Sequence, residues 1–246
     1  MENLPVYISI IFGFVTLLTI ILFYRAANRS KKLLLIIGAW LLVQAIIAST
    51  GFYTVTNTIP PRLLFLLLPP LMLIALLFLS SSGRNFIDKL DIRILTLLHI
   101  VRIPVEFVLL LLFLNKTIPG IMTFEGRNFD ILSGITAVLV WYFGFHKYKL
   151  GEKIILLWNI CCLALLINIV IIAILSAPFG FQQFGFDQPN IAILYFPFVW
   201  LPCFIVPVVL FSHLVVIRKL IYKTQIKKAA LVVCLPLVIK MIFSFY

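Results

Sequence analysis

The sequence predicts an all-α polytopic transmembrane helix bundle, and three observations carry that expectation. The chain is 63% hydrophobic with a mean hydropathy of +1.19, while charged residues make up only 11%. A globular surface requires far more polar side chains than this. Its apolar residues fall in long unbroken runs, which excludes a β-barrel, whose strands alternate apolar and polar positions. Its basic residues cluster in alternate connections, as the positive-inside rule requires of a multi-pass protein.

The first apolar run, residues 4–24, has no basic segment before it and is followed by Arg25, Arg29, Lys31 and Lys32. That order predicts an uncleaved first span in place of a signal peptide. The second run covers 33–53 and the third 63–79, the latter broken by Pro69 and Pro70. The fourth, 92–114, is about 23 residues long and matches a bilayer core. The fifth, 131–145, is about five residues short of a full crossing. The sixth is 154–175, and the seventh, 191–217, contains Pro197, Pro202 and Pro207. Each of these prolines removes a helix donor and frees a carbonyl that another group must satisfy. Residues 229–246 are apolar except for Lys240 and are predicted as an eighth span. The expected organisation is a seven-span bundle over 1–228 with short loops, followed by that C-terminal hydrophobic segment. No connection exceeds about 20 residues, which is too few for an extramembrane domain.

Fifteen Lys and Arg lie in the connections after spans one, three, five and seven, against three (Arg62, Lys116 and Arg127) after spans two, four and six. This places the basic loops in the cytoplasm and the N-terminus outside. The same asymmetry accounts for the net charge of +12. No basic face with interleaved aromatics exists outside the spans, so nucleic acid is not an expected partner. The expected location is integral to a bacterial-type plasma membrane, with the lipid bilayer as the first partner. Cys161, Cys162, Cys203 and Cys234 lie within apolar runs and behave as small buried hydrophobes.

Polar residues inside the spans are the candidate site. Counted from the cytoplasmic end at about 1.5 Å per residue, Gln44, Arg102, Glu106 and Asn168 come to similar depths near the bilayer centre. Arg102 and Glu106 are four residues apart and share a helix face, which His99 extends toward the cytoplasm. The sequence therefore predicts an intramembrane Arg102–Glu106 pair completed by His99, Gln44 and Asn168. Intramembrane charges mark binding sites and proton relays. The outer loop ahead of the short fifth span adds Glu125, Arg127, Asn128 and Asp130, expected to dip inward as a mouth above the pair. Capping of span five by Asp130 or Asn128 is the plainer reading of the same residues.

His99 and His213 are the remaining candidates, as ligands of a metal or a haem iron. The spans lack a glycine-lined space for haem, and no cofactor is expected. Protease, hydrolase, P-loop and dinucleotide motifs are missing from the sequence. The leading functional expectation is binding or translocation of a small ligand, an anion or a proton. A membrane-embedded enzyme acting on a lipid or lipid-linked substrate, and a non-catalytic partner subunit or sensor, are the alternatives.

Overall fold

The computed structural model describes residues 4–222. It is all-helical, 73% of it, with no strand among the described residues. The helices are α1 Val6–Ala26, α2 Lys31–Ser49, α3 Leu64–Leu79, α4 Ser81–Lys89, α5 Ile92–Leu114, α6 Ile131–His146, α7 Glu152–Leu175 and α8 Leu201–Tyr222. The expected eighth span at 229–246, with Lys240 and Cys234, lies outside the described residues.

Five helices (α1, α2, α5, α7 and α8) are long and apolar enough to cross a membrane. Helix α3 reaches that test only together with α4, from which it is bent by 93°, and α6 is a shorter apolar helix. The outward faces fit a lipid surround. Along α1, Val6, Ile10, Phe14, Leu17 and Ile21 are exposed large apolar side chains, a pattern that water would penalise.

Local chemistry sets the helix ends. Ser30 and Ser80 accept hydrogen bonds from the backbone N–H of Leu33 and Gly83, and Asp91 accepts from Arg93. Each satisfies a donor that the first helical turn leaves open. Helix α2 stops at Ser49, before the predicted residue 53, because Gly51 turns the chain at φ +74°. Helix α8 begins at Leu201, ten residues later than the predicted run. The stretch 191–199 forms short turns around Pro197, and Pro202 then falls in the first helical turn, where its missing N–H costs nothing.

Helix α8 is the axis of the bundle and the most buried of the apolar helices, followed by α5. Phe211 on α8 meets Phe23 of α1 edge-on at 6.0 Å. Two indoles tie α8 to α2: Trp40 donates to the Cys203 carbonyl at 3.0 Å, and Trp200 donates to the Leu41 carbonyl at 3.0 Å. The first of these meets a defined need, since Pro207 deprives the Cys203 carbonyl of its helical donor. At its far end Lys219 donates to the carbonyls of Asp88 and Leu90 at 3.0 and 2.7 Å, holding the end of α4 against α8.

The α3–α4 corner depends on Gly83. A Cβ there would stand 2.3 Å from the Leu77 carbonyl oxygen and 2.5 Å from its Cα, both backbone atoms that cannot yield cheaply. Gly83→Ala is expected to open the corner and lower stability by about 1–3 kcal/mol. Thermal unfolding in detergent checks this, with Ser82→Ala as the neighbouring control.

Candidate functional site

Helix α5 is tightened into a 3₁₀ turn at His99–Val101, just ahead of Pro104, which cannot donate to the helix. His99, Arg102 and Glu106 emerge from this region and are all buried. Helix α6 comes unusually close here because residue 134 is glycine. A Cβ at Gly134 would meet Ile103 Cγ1 at 2.8 Å and Arg102 Cβ at 3.3 Å. That approach sets the N-terminal end of α6, and Asp130 with it, against the arginine.

Arg102 Nη1 donates to Asp130 Oδ1 at 2.7 Å, in an ion pair whose side chains are 3% and 7% exposed. The same nitrogen lies 3.4 Å from the Cys162 carbonyl of α7, and Nη2 lies 2.8 Å from His213 Nε2 of α8. The histidine tautomer follows from its other side. Asn159 Nδ2 donates to the Ile155 carbonyl, so Asn159 Oδ1 is the acceptor that faces His213 Nδ1 at 2.9 Å. Nδ1 therefore carries the proton and Nε2 accepts from the guanidinium.

The outer arm of the network runs through the loop between α5 and α6. Asn128 Oδ1 accepts from the Asp130 backbone N–H at 3.0 Å. Its Nδ2 donates to both Glu106 oxygens at 2.7 Å and to the Met122 carbonyl at 2.9 Å. Hydrogen-bonded contacts thus link Asn159, His213, Arg102, Asp130, Asn128 and Glu106 without a break. They draw on α5, α7, α8 and the loop leading into α6.

On His99 and Arg102 themselves, three buried polar atoms have no partner: both ring nitrogens of His99, and Arg102 Nε. The His99 ring lies face to face on His213, with centroids 3.9 Å apart and 15° between planes, and meets Trp158 edge-on at 5.7 Å. Buried polar groups are nearly always satisfied, so three orphans in one cluster are an invitation to a polar ligand or water.

Several sequence expectations require correction. Arg102 and Glu106 share α5 but do not pair; the anion bonded to Arg102 is Asp130, and Glu106 is held by Asn128. Gln44 is buried on α2 yet belongs elsewhere, accepting from the Tyr53 hydroxyl, whose pKa burial pushes up to about 12. Asn168 is exposed and donates to the Arg127 carbonyl at 3.1 Å, tying α7 to the loop. The loop itself divides: Asn128 and Asp130 enter the core, while Glu125 and Arg127 stay exposed. Capping does not occupy Asp130, whose carboxylate makes no cap bond on α6. His99 and His213 do not converge on a metal, because stacked rings share no coordination point and both His213 nitrogens are engaged. No group of three metal-ligating side chains occurs among the described residues.

No charge or motif in the sequence marks Asn159 or the Cys162 carbonyl, and residue counting places His213 too near the surface. Counted from residue 217, where the apolar run stops, it lies only about 6 Å deep. Helix α8 continues to Tyr222, which puts His213 about 13 Å from that end.

Residues 59–221 match the model of a family described as a domain of unknown function (DUF8737). The chain belongs to that family. The matched segment contains every member of the buried network and leaves out α1 and α2, and with them Gln44. No curated protein and no solved structure matches the chain.

The pairing pattern ranks two substitutions. Asp130→Asn strands a buried guanidinium and is expected to cost about 3–5 kcal/mol. Glu106→Gln keeps an oxygen toward Asn128 and is expected to cost less than about 1.5 kcal/mol. Unfolding midpoints in detergent test the order, and the reverse order would make Glu106 the counter-ion.

Proposed function

We propose that this is an integral membrane protein that binds, and moves across the bilayer, a small polar or anionic ligand at the His99–Arg102 face of the buried network. The observation carrying this reading is the set of unpartnered atoms: two nitrogens of His99 and Arg102 Nε. A ligand with one donor and two acceptors would complete them. Asp130 already balances the Arg102 charge, so recognition there rests on hydrogen bonding more than on net attraction. An unbroken proton wire is less well supported, because a guanidinium does not release its proton and Arg102 stands in the middle of the chain. The lipid-enzyme reading has less support as well, since no nucleophile or metal motif accompanies these residues in the sequence.

In this reading α3–α4 and α6 cross with the five longer helices, making seven spans. The basic connections face the cytoplasm of a bacterial-type plasma membrane. Cysteine replacements at Glu125 and Asp187 should then react with a membrane-impermeant maleimide added to intact cells, and those at Lys89 and Lys149 should react only after lysis. Uniform labelling of all four sites from outside would overturn the topology.

For the site, His99→Phe keeps the stack on His213 and removes both nitrogens. Acetate, nitrate and bicarbonate are the probes; bicarbonate supplies the donor as well as the acceptors, and the other two supply acceptors alone. At about 100 times its Kd, an effective ligand should stabilise the wild-type protein by about 2.7 kcal/mol. The His99→Phe variant should fold and lose that response. A variant that responds as the wild type does, or a wild type indifferent to all three anions, would end the proposal.

A further inference from the structure

A second site lies away from the polar network. A cavity of about 320 Å³ opens between α1, α2, α3, α4 and α8, and its lining is almost wholly apolar. The volume falls in the range of small-molecule sites. Its mid-depth wall is built from Trp40, Pro69, Pro70 and Cys203, and its other end from Phe23, Leu33 and Phe86. From Leu33 to Trp40 along α2 is seven residues, so the cavity runs about 10 Å along the helix axes.

The charges at that second end are of one sign in excess. Arg25 follows Phe23 by two residues, Lys31 and Lys32 immediately precede Leu33, and Arg84 precedes Phe86 by two. Arg25, Lys31, Lys32 and Arg84 are all exposed, with Arg84 Nη1 donating to the Phe78 and Leu79 carbonyls at the end of α3. The acid nearest in sequence, Asp88, is already bonded to Arg218. An apolar slot ending among exposed cations matches an amphiphile with an apolar tail and an anionic head. We propose that the cavity holds the headgroup-proximal part of one acyl chain of an anionic phospholipid, with the headgroup seated on Lys31, Lys32 and Arg84.

Little of the selectivity comes from the tail, because hydrocarbon outside the protein is as apolar as the slot. The cations supply it, each contributing about fivefold near a membrane surface. The protein, purified in detergent, is offered equimolar 1-palmitoyl-2-oleoyl phosphatidylglycerol and the corresponding phosphatidylcholine, and bound lipid is read by native mass spectrometry. The wild type is expected to retain phosphatidylglycerol preferentially. Lys31→Gln with Lys32→Gln, both on the exposed surface, should lower that preference by at least about fivefold. Ile74→Trp, which fills the slot, should remove retained lipid of either kind. As a measurement on the unaltered chain, a phosphatidylglycerol with a diazirine on its acyl chain should label Leu73, Ile74 and Phe204 above the outer faces of α1 and α7. Labelling spread evenly over those faces, undiminished retention by Ile74→Trp, or a preference indifferent to the two lysines would each overturn the assignment. None of these readouts depends on the anion response of His99.

Discussion

A guanidinium keeps its proton under all ordinary conditions, so an arginine two or three turns inside an apolar bundle must be given an anion or left ruinously unsolvated. Arg102 is given Asp130, and much of the local architecture follows from that requirement. The aspartate comes from a loop, which must therefore enter the apolar core of the bundle. Non-helical backbone survives there only when protein encloses it. The enclosure is made by Asn128, which fastens the descending loop to Glu106 and Met122, and by α7, whose Asn168 holds the Arg127 carbonyl. The shortness of α6 goes with the same fact: the helix begins beside Arg102, inside the bundle, because the loop ahead of it carries Asp130 there. Gly134 lets that helix lie close enough for the pair to form.

Helix composition and spacing made the class of fold legible, along with the approximate position of the apolar helices among the described residues. Boundaries failed where apolarity and helicity part company. Residues 191–199 are apolar but proline-bound, and they turn where the hydropathy pattern suggests a span. The site was half legible. Arg102, Glu106, His99, Asn128 and Asp130 announced themselves as charges and amides in or beside apolar runs. Their partners did not, because depth can be counted along a chain while azimuth cannot. Asn168 and Asn159 lie on the same helix, and only the inward spacing of Asn159, Cys162, Leu166 and Ile169 separates them. Gln44 shares an inward face with Ile37, Leu41 and Ala48, yet that face meets Tyr53 and not Arg102.

Proline works differently at different places in this chain. Pro202 starts a helix at no cost, whereas Pro207 leaves a carbonyl that the Trp40 indole then collects. The result is a second link between α2 and α8, beside the one that Trp200 makes to the Leu41 carbonyl. The apolar slot beside that link, lined by both Trp40 and Cys203, owes its inner wall to the same irregularity. Polar network and apolar slot are thus separate products of one helix, α8, which contributes His213 to the first and Cys203 to the second.

The two bonds from Lys219 to the carbonyls of Asp88 and Leu90 give α8 a mechanical property. Lys219 is six residues from His213, about 9 Å along a continuous helix. The short helix α4, set at a right angle to α3 and polar along one side, is thereby bolted to the same rod that carries the arginine's histidine. Any displacement of α4 along α8 must therefore break two charge-assisted hydrogen bonds or carry with it the helix that holds His213.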